Sequence, residues 1–100
     1  MAPIDPRYVT EAVHAHADEW ENAGVRWRLT VGSGLDESIA SLTCETDQTV
    51  IHFTVVTDGD AEMKVTRRSV RLSSRYYYRL ATAEDVATCL AELTRQMIDV

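Results

Sequence analysis

The hydrophobic positions along the chain change period twice, and these changes mark two helices around a run of strands. Asp5-Pro6 opens the first helix: the aspartate caps free amide groups, and a proline at the first helical position has no amide to leave unsatisfied. Val9, Ala12, Val13, His16, Ala17 and Trp20 then recur at helical spacing, while Glu11, Asp18, Glu19 and Glu21 fall largely away from that stripe. Gly24 ends the helix, because glycine tolerates the left-handed geometry of a C-terminal cap.

From Val25 the period becomes two, with Val25, Trp27, Leu29 and Val31 alternating with Arg26, Arg28 and Thr30. Gly32-Ser33-Gly34 makes a turn, and Ile39 to Glu45 reads as a second strand with Ala40, Leu42 and Cys44 on its apolar side. Thr46-Asp47-Gln48 turns into a third strand, Thr49 to Thr57, where Ile51, Phe53 and Val55 form one face and His52 and Thr54 the other. Asp58-Gly59-Asp60 is a hairpin signal, since glycine beside aspartate readily adopts the positive φ of a tight turn. A fourth strand follows from about Glu62. Met63 and Val65 share a parity that Val70 and Leu72 do not, which predicts a bulge or break near Arg67-Arg68-Ser69. Ser73-Ser74 marks a turn into a fifth strand, Arg75 to Leu80, unless residues 62–80 form one bulged strand. Thr82-Ala83-Glu84-Asp85 resembles a capping box with aspartate in place of the usual glutamate, and it opens the last helix, whose inward stripe is Val86, Cys89, Leu90, Leu93 and Met97.

The order is therefore one helix, four or five strands joined by short turns, and a second helix. Such turns imply an antiparallel meander, because parallel neighbours need long crossovers. Two helices with one apolar stripe each fit on one face of that sheet and leave the other open. The expectation is a two-layer α+β fold over residues 1–100, one domain of ordinary size.

Charge sharpens this picture. The net charge is −6, yet residues 60–80 hold Lys64, Arg67, Arg68, Arg71, Arg75 and Arg79 against Asp60 and Glu62, and so carry +4. Period-two alternation places Arg26, Arg28, His52, Thr54, Lys64, Arg68, Arg75, Tyr77 and Arg79 opposite Trp27, Leu42, Phe53, Val65 and Tyr78. Glu45 and Glu62 are the acids expected on that side, so the sheet should have a basic, partly aromatic surface and an acidic helical back. Long arginine stems on such a surface can simply cover it. Arginine and tyrosine are also enriched where proteins bind one another, which makes Arg26, Arg28, His52, Lys64, Arg68, Arg75, Tyr77 and Arg79 the candidate interaction residues.

Other chemistry is weakly represented. His14 and His16 stand two residues apart on a helix, about 200° around its axis, so they do not converge on one ion. Cys44 and Cys89 fall on inward stripes and read as buried free thiols. Asp58, Asp60 and Glu62 lack the full calcium-loop pattern, and Gly32-x-Gly34 is too short for a phosphate loop. No nucleophile stands out with its base, and no metal or cofactor is expected.

The absence of a signal-peptide pattern and of a long apolar run leads to a cytoplasmic expectation. The functional expectation is a non-enzymatic interaction module of adaptor, chaperone or toxin-neutralising type. It would use the basic face or an edge strand to bind an acidic protein or its own copy. One alternative is a small-molecule binder or minor enzyme with a pocket between helices and sheet, lined by His16, Trp20, Trp27 and Tyr78. A weaker one is nucleic-acid binding by the basic face, which the overall charge opposes.

Overall fold

The computed structural model describes residues 4–32, 38–56 and 58–98. Helix α1 (Pro6–Asn22) is followed by strands β1 (Arg26–Val31), β2 (Ser38–Glu45), β3 (Thr49–Val56), β4 (Asp60–Arg67) and β5 (Leu72–Arg79), and then by helix α2 (Ala83–Ile98). The strands form one sheet in the order β1-β2-β3-β4-β5, every neighbouring pair antiparallel. This is the α+β meander that the periodicities imply. Ser33 and Gly34, and Thr57 at the expected end of the third strand, lie outside the described residues.

The ends of the elements follow local chemistry. Asp5 Oδ1 accepts from the Arg7 amide at 2.9 Å at the start of α1, and Gly24 adopts φ 81° just beyond its end. At α2 the capping box is reciprocal: the Asp85 amide donates to Thr82 Oγ1 at 3.1 Å, and Asp85 Oδ2 accepts from the Thr82 amide at 3.2 Å and the Ala81 amide at 2.9 Å. Those backbone bonds from Ala81 and Thr82 hold the Asp85 carboxyl below its usual range. Gly59, at φ 95°, is needed for a second reason. A Cβ there would stand 2.2 Å from the carbonyl oxygen of Leu80, whose amide in turn donates to the Gly59 oxygen at 2.7 Å.

The break after Arg67 is present, and it resolves residues 60–79 into two strands. The turn occupies residues 68–71, with Arg71 in the left-handed region at φ 53°. β5 therefore begins at Leu72, three residues before the expected start at Arg75. Ser73 and Ser74 are strand residues opposite Thr66 and Val65, and the hydroxyls of Thr66 and Ser73 meet at 3.2 Å.

Both helices lie on one face of the sheet. α1 packs over β1 and β2 and against α2, while α2 reaches the other strands through Gln96, which accepts from Arg67 at 2.6 Å, and through Cys89 beside Tyr78. Leu42, Ile51, Phe53 and Met63 from the sheet, Val9, Val13 and Trp20 from α1, and Val86, Leu90 and Leu93 from α2 are fully buried between the layers. A buried polar link through this core is made by Trp20, whose Nε1 donates to Thr94 Oγ1 at 2.8 Å; that hydroxyl donates on to the Leu90 carbonyl at 2.8 Å. Cover thins toward β5, where Leu72 is 62% and Tyr76 40% exposed although both belong to the helix-side parity.

Candidate interaction face

The register of the four ladders converts one face of alternating residues into a grid. One row runs Arg26, Glu45, Val50, Thr66, Ser73 across the five strands; the next runs Arg28, Thr43, His52, Lys64, Arg75; the third runs Thr30, Ser41, Thr54, Glu62, Tyr77; Asp60 and Arg79 pair beyond it. None of these residues is fully buried. Alternation thus assigned Arg26, Arg28, His52, Thr54, Lys64, Arg75, Tyr77 and Arg79 to the uncovered side correctly. Arg68 differs: it sits in the turn after β4 rather than on a strand, and its guanidinium reaches the face from the end to bond Glu45. Asp60 is a third acid of the face, which was not expected there.

The grid distributes charge unevenly. Arg26 lies 3.3 Å from Glu45 and 3.9 Å from Asp47, and Glu45 also binds Arg68. The two guanidiniums hold the Glu45 carboxyl below the usual carboxylate range. Arg79 is 3.3 Å from Asp60, and Arg75 Nε is 3.9 Å from Glu62. Among the described residues no carboxylate comes within salt-bridge distance of Arg28 or Lys64. The basic character of the face is thus concentrated in the second row, which holds Arg28, Lys64, Arg75 and His52 and contains no acid, although Arg75 reaches Glu62 of the third row. His52 is exposed, and its Nδ1 lies 3.3 Å from Thr43 Oγ1 in the same row. At about 4.8 Å between strands the row is about 19 Å long. Thr43 joins it only through the register; nothing in its local sequence singles it out.

Tyr77 is 71% exposed between Arg75 and Arg79, as alternation implies, whereas Tyr78 turns toward α2 beside Cys89 and Glu92, where burial pushes its hydroxyl pKa up. Tyr76 shares the parity of Tyr78 but lies further from the helix layer and stays partly exposed.

The remaining candidates are structural in their surroundings. His16 stacks on Trp20, with ring centroids 5.7 Å apart, and its Nδ1 lies 3.3 Å from Glu19 Oε1; Trp27 meets Trp20 edge-on at 6.2 Å. Trp20 thus packs against both other rings, and Tyr78 lies beside Cys89 and Glu92 of α2. His14 is exposed. Cys44 and Cys89 are buried free thiols, their pKa values pushed up by burial to about 12 and about 11. Among the described residues no cluster of three or more His, Cys, Asp or Glu side chains is arranged to hold a metal ion. No helix among the described residues is long and apolar enough to cross a membrane.

Comparison of the chain with protein-family models, with curated proteins and with solved structures gives no match.

Proposed function

We propose that this protein is a non-enzymatic binding module that recognises an acidic protein surface through the row Arg28, Thr43, His52, Lys64 and Arg75. The observation that carries the reading is that this row crosses all five strands without a carboxylate and holds Arg28 and Lys64, which no carboxylate among the described residues reaches, while Arg26 and Arg79 outside it are matched by Glu45 and Asp60. Long-stemmed cations on an uncovered sheet give electrostatic complementarity, which governs partner choice and association rate more than raw affinity. The spacing suits a helix laid across the strands. One helical turn advances about 5.4 Å, close to the strand separation of about 4.8 Å, so acids at every third or fourth residue would meet one strand each. Two free buried thiols suit a reducing compartment, and we place this activity in the cytoplasm.

The test uses a labelled helical peptide of about four turns with glutamate on one stripe, titrated by fluorescence anisotropy. Saturable binding that weakens with salt and is lost on Arg28→Glu, Lys64→Glu and Arg75→Glu together supports the proposal. Equal binding by that triple variant, or retention of single-stranded RNA in preference to the peptide, refutes it. Reversal of Arg79, already matched by Asp60, should matter less than reversal of Lys64.

A further inference from the structure

Among the described residues the outer edge of β5 has no neighbouring strand, and the hydrogen bonds at either end of β4 establish which of its backbone groups point outward. The Leu80 amide donates to the Gly59 oxygen, and the Arg68 amide donates to the Gln48 oxygen. In an antiparallel ladder bonded and non-bonded pairs alternate, so β4 uses its even-numbered residues toward β3 and its odd-numbered ones toward β5. Both bonds give the same result for β5: Leu72, Ser74, Tyr76 and Tyr78 bond inward to β4, while the amides and carbonyls of Ser73, Arg75, Tyr77 and Arg79 face outward. The strand has no proline, glycine or bulge to blunt this edge. Around it Val70 is 58%, Leu72 62%, Tyr76 40% and Tyr77 71% exposed.

We propose that this edge pairs with the same edge of a second copy, antiparallel about a two-fold axis at Tyr76, joining two sheets into one of ten strands. Charge and hydrogen bonding select that register. Pairing must bring outward-facing residues opposite one another, so the axis passes through a residue and not between two. An axis at Arg75 opposes Arg75 to itself, and an axis at Tyr77 opposes Arg75 to Arg79; like charges directly across a ladder repel. An axis at Ser74 or Tyr78 leaves a large part of the strand unpaired. The axis at Tyr76 pairs residues 73–79 throughout and makes about eight backbone hydrogen bonds. It sets Arg75 opposite Tyr77 of the other copy twice, a cation beside an aromatic ring, and Tyr76 opposite Tyr76 on the helix side. Arg75 and Arg79 already lie beside Glu62 and Asp60, which removes much of the residual repulsion between the two copies. The second copy is thus the occupant that the edge fits.

The cationic row ends at this edge in Arg75, but the variants that test the pairing leave Arg28, Lys64 and Arg75 in place. Light scattering at micromolar concentration should give twice the chain mass for the wild type and the single-chain mass for Tyr77→Pro. That substitution removes an outward-facing amide and an exposed side chain but no hydrogen bond to β4, so far-UV circular dichroism should be unchanged. Tyr76→Cys should form an intermolecular disulfide on mild oxidation, since residues opposite each other in a non-bonded pair approach to about 4.5 Å between Cα atoms, whereas Ser74→Cys should not. A wild type that remains single at every concentration overturns the proposal, as does a dimer that persists in a folded Tyr77→Pro. Cross-linking at Ser74 in preference to Tyr76 overturns the register. If Tyr77→Pro does not fold, the two cysteine variants decide the outcome.

Discussion

The two faces of β3 show what separates the two sides of this molecule. Ile51, Phe53 and Val55 are at most 1% exposed, while His52 between them is open to solvent and Thr54 is half-covered. Backbone, ladder and neighbours in sequence are shared; only the helices over one side differ. Burial on that side supplies the free energy of folding, at roughly 25 cal/mol for each Å² of apolar surface removed from water. The open side contributes ladder geometry but little burial. Its charges are therefore under few constraints from folding, and a row of cations can persist there without cost to the core.

Substitutions should reveal the same asymmetry. Phe53→Ala, which opens a cavity at the centre of the covered face, should lower unfolding free energy by about 3–5 kcal/mol in urea titrations. Alkaline pH should act on the same face through its thiols. Cys44 and Cys89 have pKa values raised from 9.0 to about 12 and about 11, so the folded state holds its protons more tightly than the unfolded state. Their stabilisation is complete below pH 9 and is lost as pH rises toward 12, and Cys44→Ala should flatten that limb of the stability profile. Thr94→Val keeps the shape but leaves the buried Trp20 N–H without its acceptor, which should cost about 1–3 kcal/mol. Lys64→Gln on the open face should change stability by no more than about 0.5 kcal/mol. A large loss on Lys64→Gln, or a small one on Phe53→Ala, would break the division between the faces.

The sequence reveals the covered face more fully than the open one, and for a physical reason. Ile51, Phe53 and Val55 alternate because helices press on them, and the α2 stripe of Val86, Cys89, Leu90, Leu93 and Met97 repeats because each member is buried. Where the pressure fades, the pattern fades with it. β5 carries Ser74 and an exposed Leu72 and Tyr76 on its helix side, so Ser73-Ser74 reads as a turn in the sequence. Alternation places a residue on a face but is silent about its row. That Arg26 meets Glu45, that Arg79 meets Asp60 and that Arg28, His52 and Lys64 share a line all depend on how the turns set the registers of successive strands. Arg68 was assigned to the face by parity, yet the turn that ends β4 begins with it.

The hydrogen bond from Trp20 to Thr94 joins side chains 74 residues apart, and it ties the first helix to the last. The meander between them can zip up through short-range hairpins, but the indole finds its acceptor only when α2 docks. The bond therefore has a high sequence separation, and it closes only when the two ends of the chain meet over the same face of the sheet. Until the two helices meet, the Trp20 indole lacks the acceptor that its burial requires.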